Sequence, residues 1–310
     1  MISNDVFEKI GISQEDREYI LEMDKVYGCK AKELAERYNA EMPIKPFEPY
    51  RGEERGDASI RARKYADLAI EIDPEKQYIT QLLMWLYMFS YMEENYKKYN
   101  IPESVLLDTA ANIRYKMDEC MSVYGEVGVF VEYFFLEDEL KLFALGRLQF
   151  EYHTFYYQSD YKCGDFVLDE GDVVLACHIP TDGRPLSKEL CMESFKMAYD
   201  FFKKDLKDGI LPLICTSWMM YPPYVEKVLP EKSNIKKFVD MFDVIKVFES
   251  PDRFGDSWRI FGGKKYEGTT EGLPSNNTLQ RNMINYINEG GKFGYGGGVL
   301  LFDGEKIINR

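Results

Sequence analysis

The chain has 310 residues, a formal net charge of −14, 45% hydrophobic and 30% charged residues. This is room for one large or two ordinary domains with real cores, in a globular rather than disordered composition. The negative field excludes nucleic-acid backbones and anionic membrane surfaces as main partners, and it suits a cationic acceptor such as an amine, although most acidic proteins are acidic for solubility alone.

The first half reads as helix. Ser13, with Asp16 three residues on, forms an N-cap arrangement for a helix that Gly28 is expected to close, and Lys30–Tyr38 is a second short helix. Pro43, Pro46, Pro49, Gly52 and Gly56 make 41–57 a loop. Helical spacing resumes over Ser59–Ile70, and Pro74 precedes a long apolar helix over 76–98. Its uncharged stretch Tyr78–Met92 falls short of the ~20 residues needed to cross a bilayer and reads as a buried helix. Pro102 opens a helix through Val105, Leu106, Ala110, Ile113 and Met117, with Gly125 as its stop.

From Val127 the rhythm changes. Leu140–Tyr157 reads as one long strand, Phe166–Leu168 and Val173–Ile179 as strands about a turn, and Ser187–Leu206 as a helix with Cys191, Phe195, Ala198, Phe202 and Leu206 on one face. Ile210–Trp218 is a buried strand, Asn234–Phe242 a helix, and Asp243–Phe248 and Trp258–Phe261 are strands. A helix through Leu279, Met283 and Ile287 and a strand over Gly298–Phe302 complete the chain. The fold class is therefore α+β: an all-helical domain over 1–125, then a mixed β-sheet domain flanked by helices over 126–310. The glycine run 290–298 follows a helix and precedes a strand, the wrong context for a phosphate loop, and reads as a helix C-cap and flexible turn.

Six cysteines without a C-x-x-C pair, and two histidines, give neither a disulfide framework nor a zinc cluster, so no metal is expected. The opening residues lack the regions of a signal peptide, which makes the cytoplasm the default location. The oligomeric state is left open.

Chemistry concentrates in 145–218. Arg147, Gln149 and Glu151 alternate with Leu148 and Phe150, placing three polar groups on one sheet face. Alternation predicts such a face without any function, but charges in a core strand generally have a task or a partner. His178 ends the strand 173–179 and has the side chain best suited to proton transfer near neutrality; a lone strand-end histidine is more often structural. The strand, the turn 181–186 and the helix from Ser187 form a unit whose free amides can bind an anion on Gly183, Leu186 and Ser187 beside Arg184, or in which Ser187 simply caps the helix. Ser217 and Trp218 stand at a strand's carboxyl end, where α/β sites gather. Cys215 lacks an activating partner.

The motifs Leu-Gly-Arg-Leu-Gln-Phe-Glu (145–151), His-Ile-Pro (178–180), Gly-x-Pro-Leu (183–186), Ser-Trp (217–218), Ser-Asn-Ile (233–235) and Thr-Leu-Gln-Arg (278–281) resemble a bacterial family of acyltransferases that pairs a helical N-terminal domain with a GNAT-like C-terminal domain. The resemblance implies acetyl-CoA or another acyl-CoA as cofactor and a small-molecule amine or peptide as acceptor. It implies pairing of the pantetheine arm with the backbone at His178, Ile179 and Thr181, and the CoA diphosphate facing 181–186 and Ser187. Glu151 or His178, directly or through water, would take the amine's proton, with Arg147, Gln149, Ser217 and Trp218 on the substrate. The turn Thr-Asp-Gly-Arg-Pro-Leu departs from the family's Gln/Arg-x-x-Gly-x-Gly/Ala loop, since Pro185 removes an N–H donor and Asp182 repels phosphate. A non-catalytic binder of small molecules or peptides that keeps the fold is the alternative.

Overall fold

A computed structural model describes residues 1–131, 133–250 and 254–310. The chain divides into two compact units: Met1–Leu145 together with Pro180–Asp182, and Gly146–Ile179 together with Gly183–Arg310.

The first unit is built from helices α1 (Asn4–Ile10), α2 (Gln14–Glu41), α3 (Glu54–Ile72), α4 (Gln77–Lys98), α5 (Glu103–Ala110), α6 (Asn112–Tyr124) and α7 (Phe135–Asp138), followed by the short strand β1 (Leu142–Leu145). Ser13 caps α2 as expected, its hydroxyl accepting from the Asp16 amide at 3.2 Å. The helix then runs straight through Gly28 instead of stopping there. A Cβ at Gly28 would lie 2.1 Å from Asp24 Oδ1 and 3.0 Å from the Tyr87 hydroxyl. The glycine is there for the close packing of α2 on α4, not for a turn. The apolar helix α4 buries Ile79, Leu82, Leu83, Met84, Trp85 and Leu86 on successive faces, as a helix at the centre of a bundle does. Among the described residues no helix is long and apolar enough to cross a membrane.

The single helix expected after Pro102 is broken at Ala111 into α5 and α6. Side chains flanking the break are tied to different partners. Thr109 Oγ1 accepts from the Ala144 amide at 2.9 Å, and the Asn112 amide donates to Glu137 Oε1 at 2.6 Å. Gly125 does end α6, in the left-handed conformation at φ 71°.

The second unit contains β2 (Leu148–Thr154), the hairpin β3 (Asp160–Cys163) and β4 (Phe166–Asp169), β5 (Val173–His178), α8 (Lys188–Phe201), β6 (Leu211–Ser217), α9 (Pro222–Lys227), α10 (Asn234–Val239), β7 (Asp243–Glu249), α11 (Ser257–Ile260), α12 (Thr278–Asn288) and β8 (Gly294–Phe302). Its main sheet has the order β2-β5-β6-β8-β7. Only β5 and β6 are parallel; β2–β5, β6–β8 and β7–β8 are antiparallel. The protein is thus α+β with a mixed sheet. On one sheet face Phe150 meets Phe195 and Phe202 of the α8 region at ring distances of 6.5 and 6.4 Å. On the other, Val174, Ile214, Val299 and Leu301 form a core with Phe155, Tyr157, Tyr161, Phe166 and Leu168.

Three expectations are corrected here. The strand expected over 140–157 is interrupted at Gly146, whose φ of 71° turns the chain. Trp258–Phe261 falls in a helical turn rather than a strand: the Phe261 amide donates to the Ser257 carbonyl at 3.0 Å. Within the glycine run, 294–298 is strand β8 and not a flexible turn. A Cβ at Gly296 would meet the Met220 carbonyl oxygen at 2.0 Å, one at Gly297 the Tyr157 ring at 2.7 Å, and one at Gly298 Phe242 at 2.8 Å. These glycines let side chains and backbone lie directly on the strand.

Candidate active site

Strand register decides which predicted residues meet. In the β2–β5 pair Gln149 lies opposite His178 and Glu151 opposite Ala176. All four share a face, and Glu151 is the diagonal neighbour of His178. The pair is joined: His178 Nε2 lies 2.8 Å from Glu151 Oε2, with the carboxylate side chain 1% exposed and the imidazole 39% exposed. A carboxylate withdrawn from water needs such a partner. The imidazole is the member of the pair that solvent reaches. Gln149 is buried beside them, and its Nε2 has no hydrogen-bond partner. The Arg147 amide donates to Ser194 Oγ of α8 at 2.7 Å, which anchors the start of β2.

The same face carries Ile214 and, two residues on, Thr216 of β6. Thr216 Oγ1 lies 2.8 Å from the Tyr157 hydroxyl and 3.1 Å from that of Tyr156. The Tyr156 ring is 5.0 Å from His153. Sequence reading missed Thr216, Tyr156 and Tyr157. The signal was available in β6, where alternation from the buried Ile214 puts Thr216, and not Ser217, on the face of Glu151 and His178.

Ser217 instead accepts from the Met219 amide at 3.2 Å and caps a turn of 3₁₀ helix. Trp218 is buried 6.4 Å from the Tyr224 ring. Cys215 is buried, and burial pushes its thiol up to about 12, as it does that of Cys191.

The parallel ladder between β5 and β6 covers only Leu175–Leu213 and Ala176–Ile214. Both strands continue beyond it, β5 to His178 and β6 to Ser217. Past His178 the chain is irregular until Ser187, whose hydroxyl accepts from the Leu190 amide at 3.3 Å and caps the 14-residue helix α8. Thr181 Oγ1 donates to Glu119 Oε1 at 2.8 Å, and Lys116 Nζ stands 3.0 Å from the same carboxylate. Arg184 Nη2 donates to the Gly146 carbonyl at 2.8 Å, and Leu186 is buried. Gly183 adopts φ 77° with open space where a Cβ would be. The side chains of Thr181, Arg184 and Ser187 are therefore engaged within the protein. Among the described residues, the backbone amides of Gly183, Leu186 and Ser187 find no acceptor.

Residues 142–300 match the model of the GNAT-like C-terminal domain, and residues 1–133 that of the N-acyltransferase N-terminal domain. No curated protein matches the chain. Among solved structures, an acyltransferase in complex with decanoyl-CoA and teicoplanin is similar over 97% of this chain and 100% of its own, at 20% identity and a TM-score of 0.60. An acyltransferase in complex with CoA and 10C-teicoplanin is similar over 96% of this chain and 99% of its own, at 19% identity and a TM-score of 0.60. A mutant acyltransferase in complex with octanoyl-CoA is similar over 97% and 100%, at 20% identity and a TM-score of 0.58. At these identities the likeness is one of fold.

Proposed function

We propose, from the premise that this chain belongs to the family joining an N-acyltransferase N-terminal domain to a GNAT-like C-terminal domain, that it is an enzyme transferring an acyl group from acyl-CoA to an amine by direct attack. The observation that carries this reading is the Glu151–His178 hydrogen bond of 2.8 Å, placed at the end of β5 where the ladder to β6 has stopped.

In this reading the buried Glu151 carboxylate accepts the Nε2 proton of His178, which fixes the imidazole tautomer and leaves Nδ1 as the basic nitrogen. The acceptor amine attacks the thioester carbonyl carbon, a C–N bond forms, and the ammonium proton passes to Nδ1 directly or through one water. The C–S bond then breaks, and the CoA thiolate leaves and is protonated. No covalent enzyme intermediate is required. The backbone of His178, Ile179 and Thr181, beyond the ladder, receives the pantetheine amides. Unused amides at Gly183, Leu186 and Ser187 and the N-terminal end of α8 face the diphosphate, and backbone N–H groups near 178–181 polarise the thioester carbonyl. Gln149, with its unused Nε2, contacts the substrate together with Arg147. The solved relatives named above were crystallised with CoA or acyl-CoA, two of them with teicoplanin or 10C-teicoplanin, which supports an acyl-CoA donor and a small-molecule or peptide amine acceptor here.

One observation favours a second reading, a non-catalytic binder. The polar side chains of the 181–187 turn are engaged with the protein, and Pro185 supplies no N–H. Calorimetry with acetyl-CoA and decanoyl-CoA separates the two. The acyltransferase reading expects saturable binding of at least one donor; a folded protein giving no heat at about 1 mM of either overturns it in favour of the binder.

A further inference from the structure

The helical unit contains a cavity of about 120 Å³ lined by Pro43, Lys45, Tyr50, Glu54, Asp57, Arg61, Glu139 and Lys141. That is well above the roughly 10–15 Å³ a single water needs. Two of the lining side chains are almost fully withdrawn from solvent, Glu139 at 1% and Lys141 at 2% exposure.

Hydrogen bonding around the cavity is unbalanced in one direction. Both oxygens of Glu139 are taken, one by Arg61 Nη2 and one by the Tyr50 hydroxyl at 2.9 Å. Glu54 is likewise used, by Lys45 Nζ at 2.6 Å and by the Arg51 amide at 2.8 Å. The buried Lys141 ammonium, in contrast, meets only neutral acceptors: the main-chain carbonyls of Lys45 and of Glu48, the latter at 2.9 Å, with the Tyr50 ring 4.9 Å away. An ammonium has three N–H donors, so one is left over. The Arg61 Nε–H is also buried without an acceptor. These two buried N–H groups are open to a further acceptor, and a carboxylate accepts from a cationic donor more strongly than a neutral oxygen does. Burial pulls the Lys141 pKa below the ordinary lysine value, while the carboxylates of Glu48, Glu139 and Glu54 act to raise it.

We propose that this cavity is a binding site for a small monocarboxylate of formate-to-propionate size, its oxygens held by Lys141 Nζ and Arg61 Nε. The exposed Asp57 on the wall disfavours a dianion such as phosphate. The volume of about 120 Å³ favours a short acid over a bulky one.

The test is thermal unfolding of the full chain titrated with sodium formate, acetate, propionate, pivalate and chloride at matched ionic strength, up to ~100 mM. The proposal expects a saturable rise in Tm with the three small carboxylates, a weaker one with pivalate and none with chloride. Lys141→Met should abolish it. Because Lys141 also holds the 43–53 loop, Lys45→Gln provides a milder variant, expected to weaken acetate binding by up to about tenfold. Chloride or pivalate matching acetate, or no saturable shift with any small carboxylate, overturns the proposal and leaves a water-filled cavity.

Discussion

Glu151 sits where a sheet core ordinarily has an aliphatic side chain, and its carboxylate is tolerated because one oxygen meets the His178 imidazole. Two variants separate the proposed roles. His178→Ala should lower kcat by about 10²–10⁴, the range for a lost general base. Glu151→Gln keeps an oxygen that can accept from Nε2 but removes the charge that stabilises the imidazolium. Its loss should be smaller, about tenfold to a hundredfold, and fall in kcat more than in KM. A pair that served stability alone would show the reverse, with Tm lowered and kcat untouched. At this scale the sequence was informative wherever a strict period of two applied: Gln149 and Glu151 were placed on one face, and His178 at a strand end. It misled at Ser217 and Trp218. A one-residue error in phase exchanges the two faces of a strand, so Thr216 stood where Ser217 was expected. Tyr156 and Tyr157 were hidden by abundance, two among 23 tyrosines.

Glycines were the elements' least legible feature. Gly28 reads locally as a helix stop, and Gly296–Gly298 as a turn. Each is instead a place where a distant group presses on the backbone, a relation that sequence does not display. The consequence is measurable. Gly28→Ala should gain up to about 1 kcal/mol in helix propensity, yet its Cβ would stand 2.1 Å from Asp24 Oδ1. Asp24 cannot give way, since it accepts from the Ile2 amide at 3.0 Å and from Tyr87 at 2.7 Å. The net result should be destabilisation of about 1–3 kcal/mol, read from urea unfolding. Gly297→Val should displace the Tyr157 ring, at comparable cost, and should remove the Tyr157–Thr216 contact while leaving the Glu151–His178 pair in place. The regular elements were far more legible. Caps at Ser13 and Ser187, the apolar face of α8 and the run of α4 follow from local sequence, because periodicity and capping act within a few residues. The break between α5 and α6 does not, since its anchors lie in β1 and α7.

For the whole molecule, the order of a helical part followed by a mixed sheet was visible in the change of rhythm along the chain, whereas the polar interior of the helical unit was not. Glu137 and Asp138 are buried, and burial raises both well above the ordinary carboxylate pKa. Each group therefore holds its proton more tightly in the folded state than in the unfolded chain, which releases it near pH 4. Stability from these groups is therefore present below the unfolded value and lost as pH rises, by up to about 1.4 kcal/mol per unit for each group. Carboxylates with lowered pKa, such as the exposed Glu41 and the half-buried Asp73, act in the opposite sense, but only as pH falls through the acid range. Tm should therefore fall as pH rises above the ordinary carboxylate value of about 4, and Asp138→Asn should flatten the slope. The central claim concerns transfer, and the most direct measurement is amine-dependent release of CoA thiol from acetyl-CoA or decanoyl-CoA, with the acylated amine identified by mass. The account predicts release that requires the amine, yields stoichiometric amide and collapses in His178→Ala. Amide formation unchanged in both His178→Ala and Glu151→Gln, or donor binding with no amide from any primary amine tested, would contradict it.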